Sequence, residues 1–216
     1  MCMEITVNFI EDQPAAAEAM QIKLEKTNKF CVKHIFSLAA EAIFWLENHL
    51  SEAPHLWLVD LFLPDHGGIW AIQRIHTMQP KAKILVFTSF DNPSLLVRAI
   101  EVGANGYLLK DMRDKILMKH LEDALAGKQV FSPRIADYLL QNKITAKKSK
   151  NQAEPQIVLC KEGIEVLQNL ASGYSIPEIA TRLSTSKHKV QDHIYSIYAK
   201  LQENTDFSYL KGGGTY

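Results

Sequence analysis

The chain has 216 residues, 47% of them hydrophobic, enough length and apolar content for two folded domains with proper cores. Its 24 basic and 24 acidic residues cancel, so it lacks the global positive field of a protein that coats nucleic acid; a local basic surface stays open. Apolar runs such as that over 84–87 are far too short to span a bilayer, so no membrane partner is expected. The opening Met1-Cys2-Met3-Glu4 has no basic head and no long apolar core, so no secretory signal is expected. Cys2, Cys31 and Cys160 are widely spaced, with no CxxC. They predict free thiols in a reducing cytoplasm, not a disulfide frame or a zinc site.

Through residue 126, short apolar runs alternate with amphipathic stretches. The expected strands are 5–10, a weaker one over 32–38, 56–59, 84–87 and 106–109. Between them the spacing predicts helices over 14–26, around 42–50, over 69–78 and over 95–102, and a last one over 116–125. Five strands alternating with five helices predict an α/β domain with a doubly wound parallel sheet, covered on both faces. Ligands of such sheets bind beyond the carboxyl ends of the strands.

Residues 127–156 change character. They hold six basic groups against two acidic ones, whereas the first 126 residues hold 12 against 16. The polar stretch 143–155 reads as a flexible tether, with a short helix around 134–140 before it. Its lysines are either a solvated face or a contact to a nucleic-acid backbone. From residue 157 the pattern is wholly helical, over 161–171, 176–183 and 187–201. Gly173 ends the first helix, Ser175 caps the second with Glu178 three residues on, and Ser184-Thr185-Ser186 turns into the third. Short helices with tight turns predict an all-α helix-turn-helix domain. The expected division is 1–126, a linker over 127–156, and 157–216.

The chemistry gathers at the strand ends. Glu11 and Asp12 close the first strand, Asp60 the third, Thr88 the fourth and Lys110 the fifth. Three carboxylates at one edge repel unless a divalent cation joins them, and oxygen-only ligands favour Mg2+. A carboxylate can also act as a nucleophile toward phosphorus. Lys110 would neutralise one phosphoryl oxygen and Thr88 would donate a hydrogen bond to another.

On these residues the first 126 positions resemble the receiver domain of two-component response regulators. The carried motifs are Glu11-Asp12, Asp60-Leu61-Phe62-Leu63-Pro64, Gly68, Thr88-Ser89 and the run from Gly103 to Asp111. The resemblance implies a flavodoxin-like strand order, 2-1-3-4-5, and phosphorylation of Asp60 by a histidine kinase. It also implies a metal site made by Glu11, Asp12, Asp60 and the Phe62 backbone carbonyl, and a switch pair of Thr88 and Tyr107. His66 and Gly67 depart from the family pattern, and Asn8 puts a polar group inside a central strand, where it needs a partner. His66 reads as a loop histidine or, less simply, as a pH sensor.

Residues 159–201 resemble the LuxR-type helix-turn-helix of NarL/FixJ regulators. Leu159, Glu165-Val166-Leu167, Leu170, Gly173, Ser175, Glu178-Ile179-Ala180, Leu183, Ser186, Val190, His193, Ile197 and Lys200-Leu201 carry the likeness. It implies that Lys187, His188, Lys189, Val190 and Gln191 face DNA; Val190 could instead pack in the core. Glu162, Gly163, Lys189 and Gln191 depart from the pattern, and the domain has six basic and six acidic residues. The final helix, expected over 206–211, is cut short by Gly212-Gly213-Gly214.

The leading expectation is a phosphorylation-controlled transcription regulator that binds promoter DNA as a homodimer. The alternative is a receiver-controlled protein-interaction module whose helical domain binds DNA weakly or not at all. An enzyme is not expected. Phe62 stands two residues after Asp60, where aspartyl-phosphate phosphatases commonly carry a second Asp as general acid.

Overall fold

A computed structural model describes residues 5–89, 91–128, 132–145 and 157–203. The chain forms two compact units that divide between Val130 and Phe131.

The first unit holds β1 (Ile5–Ile10), α1 (Pro14–Glu25), β2 (Phe30–Phe36), α2 (Ala39–Asn48), β3 (Leu56–Val59), α3 (Gly67–Met78), β4 (Lys83–Thr88), α4 (Pro93–Glu101), β5 (Gly106–Leu109) and α5 (Asp114–Leu125). The five strands are parallel, in the order β2-β1-β3-β4-β5. All four residues of β3 are buried, which is why it reads as an unbroken apolar run with no polar alternation. One face packs Val7, Phe9, Leu58, Phe87 and Leu108 against Met20 and Leu24 of α1 and Leu117 and Leu121 of α5. On the other face Trp57 meets the rings of Phe36 and Trp45, and its indole Nε1–H donates to Gln79 Oε1 at 3.1 Å.

The second strand begins two residues earlier than expected and ends at Phe36. Phe30 belongs to the core, and Leu38 is instead the extended residue that precedes α2. Asn8 is fully buried, at a register irregularity between β1 and β2. Neither its Oδ1 nor its Nδ2 has a hydrogen-bond partner among the described residues.

The second unit holds α6 (Pro133–Asn142), β6 (Ile144–Thr145), β7 (Ile157–Val158), α7 (Lys161–Ala171), α8 (Ile176–Arg182) and α9 (Lys187–Glu203). Ser132 caps α6 by accepting from the Ile135 N–H at 3.3 Å. The expected linker over 127–156 therefore needs correction. Its short helix buries Ile135, Ala136 and Leu139 and packs on α7, because a three-residue apolar stripe must be covered. Two parallel bridges, Ile144 to Ile157 and Thr145 to Val158, join the ends of the segment between them. Most of the expected tether, 146–155, and the expected short helix over 206–211 lie outside the described residues.

At the start of α8, both the Ser175 N–H and its hydroxyl donate to the Glu178 carboxylate, at 2.8 and 2.6 Å. Val166, Leu167, Ile179, Ile194, Ile197 and Leu201 are buried in this unit.

Candidate functional site

In a parallel sheet all strands end on the same edge, and here the ladder runs one residue past each end. The Glu11 N–H donates to Phe36 O, the Asp60 N–H to Ile10 O and the Lys110 N–H to Thr88 O, each at 2.9 Å. These bonds align Glu11, Asp60, Thr88 and Lys110 in that order along one edge, although they are far apart in sequence.

Their side chains meet. Lys110 Nζ lies 2.6 Å from Glu11 Oε2 and 2.7 Å from Asp60 Oδ2. Glu11 and Asp60 are both buried, at 3% and 4% exposure. Carboxylate oxygens of Glu11, Asp12 and Asp60 lie within 4.8 Å of one another. Two of those oxygens are poorly satisfied: Asp12 Oδ1 is buried with no hydrogen-bond partner among the described residues, and Glu11 Oε2 has the ammonium in ion-pair contact but out of hydrogen-bond alignment. A buried anionic oxygen without a partner is costly, and an oxygen-only donor set of three carboxylates fits a hard divalent cation.

The titration shifts follow from the crowding. Burial pushes the Glu11 carboxyl above its usual range; the Asp60 charge adds to the rise, while Lys110 and the Gln13 N–H oppose it. Burial disfavours the Lys110 ammonium, but the hydrogen bond to Asp60 and the attraction of the Asp60 and Glu11 charges outweigh it and hold its pKa above the ordinary value. One cation thus serves two buried anions, with Asp12 as a third nearby.

Thr88 is fully buried at the end of β4, and Tyr107 is half-buried in β5 opposite Val86. Phe62 projects its ring halfway into solvent, and its N–H donates to Asp60 Oδ1 at 3.3 Å.

The loop from Asp60 to Gly68 is tightly closed. The Gly68 N–H donates to Leu61 O at 3.0 Å, and Leu61 and Leu63 are buried. A Cβ on Gly68 would sit 2.0 Å from the Asp60 carbonyl oxygen, so only glycine fits there. His66 lies in this loop as expected and packs its ring on Trp70, with centroids 4.4 Å apart.

Sequence reasoning missed Asp65. Its carboxylate accepts the Ala39 N–H at 3.1 Å and the Ala40 N–H at 2.8 Å, in the first turn of α2. Burial raises its pKa, but these donors and the His66 N–H prevail and hold the carboxyl below its usual range. Nothing local signals this contact, since its partners lie 25 and 26 residues away.

In the second unit, Lys187, His188 and Lys189 are exposed at the start of α9, and Gln191 is half-buried. His188 Nδ1 lies 2.9 Å from Asp192 Oδ2, one helical turn on. Val190 is fully buried, so its packing role replaces the expected groove contact.

Comparison with known proteins agrees with both units. Residues 7–122 match the response regulator receiver domain, and residues 158–206 match the bacterial regulatory proteins of the luxR family. The transcriptional regulatory protein YdfI of Bacillus subtilis (strain 168) is 31% identical over 200 residues, covering 92% of this chain and 90% of the relative. The crystal structure of a LuxR-family two-component response regulator from Aurantimonas sp. SI85-9A1 is 28% identical, with a TM-score of 0.57, over 64% of this chain and 96% of the other. A structure of the RcsB response regulator of Salmonella typhimurium is 26% identical, with a TM-score of 0.54, over 96% of this chain and 97% of the other. With a receiver match over more than half of its length and a relative above 30% identity along nearly all of it, the chain belongs to the response regulators, with a receiver domain followed by a luxR-family helix-turn-helix domain.

Proposed function

We propose that Asp60 is the phosphoacceptor of a transcription regulator, and that a histidine kinase supplies the phosphoryl group. The observation that carries this reading is the Lys110 ammonium held between Glu11 and Asp60, with Asp12 alongside. An Asp60 oxygen attacks phosphorus, the phosphorus–nitrogen bond of the phosphohistidine breaks, and an acyl phosphate forms. Glu11, Asp12, Asp60 and the Phe62 carbonyl would hold Mg2+, which supplies charge neutralisation for the phosphoryl oxygens. Lys110 binds one phosphoryl oxygen, and the Thr88 hydroxyl donates to another. Thr88 and Tyr107 form the pair that responds to the phosphate. No turnover of a small substrate is part of this reading, since Phe62 offers no general acid.

In the second unit Lys187, His188, Lys189 and Gln191 are the proposed DNA contacts, with phosphorylation favouring a homodimer on two half-sites. The protein works in the cytoplasm, in keeping with the free thiols of Cys31 and Cys160.

The test is incubation with Mg2+ and a small phosphodonor, read by intact mass. We expect a base-labile gain of one phosphate, absent in Asp60→Asn. No gain in the unaltered protein overturns the reading. A second reading, a protein-interaction module, is favoured by the neutral charge of residues 157–216 and by the His188–Asp192 pair, which puts an anion on the exposed side of α9. Low-salt anisotropy titration of promoter DNA with phosphorylated protein separates the two, and absence of binding favours the module.

A further inference from the structure

The first turn of α2 has no cap of its own. Its preceding residue is Leu38, whose side chain cannot accept a hydrogen bond, and α2 shows no side-chain bond from that position. The acceptor arrives instead from the loop after β3. Both Asp65 carboxylate oxygens are used, one for Ala39 N–H and one for Ala40 N–H. A two-point bond fixes orientation as well as distance, and the negative charge suits the positive end of the helix.

This contact also bears on the loop. Its ends are pinned by the Gly68–Leu61 bond and by burial of Leu61 and Leu63, but Pro64, Asp65 and His66 are exposed. Asp65 ties that exposed middle to α2, which is itself anchored by buried Ala39, Ala42, Ile43 and Leu46 and packs on α3. The loop carries Asp60 at its start and Phe62 two residues on, with the Phe62 N–H bonded to Asp60 Oδ1. A rigid anchor at Asp65 therefore limits how far the Phe62 peptide can swing from the carboxylate cluster.

We propose that Asp65 is a positioning residue for phosphoryl transfer: by capping α2 it holds the Phe62 peptide in place beside Asp60, Glu11 and Asp12. The proposal rests on the reading of Asp60 as phosphoacceptor with Mg2+ alongside. Asp65 touches neither metal nor phosphate and acts through the loop.

The test uses the full chain and three variants. Asp65→Ala removes both acceptors. Asp65→Asn keeps one amide oxygen that can cap the same turn. Ala40→Gly weakens that turn of α2 but leaves both N–H donors. For each, calorimetry gives the Mg2+ dissociation constant, intact mass gives the rate of phosphate gain from a small phosphodonor, and a melt gives stability. We expect Asp65→Ala to weaken Mg2+ binding roughly tenfold, the low end for groups that position ligands without touching the metal. Its phosphorylation slows at low Mg2+ and recovers at saturating Mg2+. Asp65→Asn restores most of the affinity. Ala40→Gly melts earlier but binds Mg2+ like the unaltered protein. If Asp65→Ala also melts earlier with unchanged affinity and rate, Asp65 is only a helix cap and the proposal falls alone. If the unaltered protein neither binds Mg2+ nor gains phosphate, the phosphoacceptor reading falls and takes this proposal with it.

Discussion

Lys110 Nζ and Asp60 Oδ2 are 2.7 Å apart, joined across 50 positions of sequence and across the end of β4, which lies between their strands, and the same ammonium also contacts Glu11. Removing that cation leaves buried carboxylates facing one another. Breaking a buried ion pair from one side typically costs about 3–5 kcal/mol; at 12% exposure for Lys110 we expect roughly 3 kcal/mol. Lys110→Met should therefore melt earlier, and added Mg2+ should return more stability to it than to the unaltered protein. A variant as stable as the parent without Mg2+ contradicts this.

Gly68 faces the Asp60 carbonyl with no room for a methyl group. Gly68→Ala must displace the Asp60 peptide, at a cost of about 1–3 kcal/mol as in other overpacked sites. We expect a lower melting temperature together with slower phosphate gain at Asp60, measured on the same preparation. Loss of stability with unimpaired phosphorylation would show that the loop absorbs the strain elsewhere.

Asn8 is the reverse case, a buried amide with no hydrogen-bond partner among the described residues. An unsatisfied buried polar group costs about 1–3 kcal/mol. Asn8→Leu should raise the thermal midpoint of the receiver by several degrees. A lower midpoint means that the amide has a partner in solution.

His76 packs its ring against Gly103, where a Cβ would come within 2.4 Å, and burial lowers its pKa from the ordinary 6.5. Burial likewise lowers the pKa of His120, with a smaller opposing pull from Asp123. In both, the unfolded chain takes up a proton that the folded one resists. Their contribution to stability is full above pH 6.5 and is lost as pH falls below it, through the depressed folded values. Melting of His76→Gln and the parent across that window should show a shallower acid slope for the variant; parallel curves would exclude His76.

The strand ends were readable in the sequence because each reactive residue directly follows an apolar run, and a parallel sheet leaves such residues one edge to share. Gly68 was readable from its motif. Asp65 was not, because its donors belong to another helix and only the folded loop brings them near. Val190 fits either the groove or the core by spacing alone, and burial decides for the core. The helix of residues 133–142 was visible in outline, but a basic, polar neighbourhood concealed that its apolar stripe has a docking partner in α7.

That docking has a consequence for how the chain comes apart. Within the second unit Ile144 and Thr145 are bridged to Ile157 and Val158, and α6 is seated on α7. A protease nick after Lys147, Lys148 or Lys150 would thus cut one covalent strand without releasing either half. Under native conditions the two fragments should co-elute on a sizing column, and only denaturant should part them. Severance of the receiver from its effector requires a cut upstream, between Leu125 and Pro133.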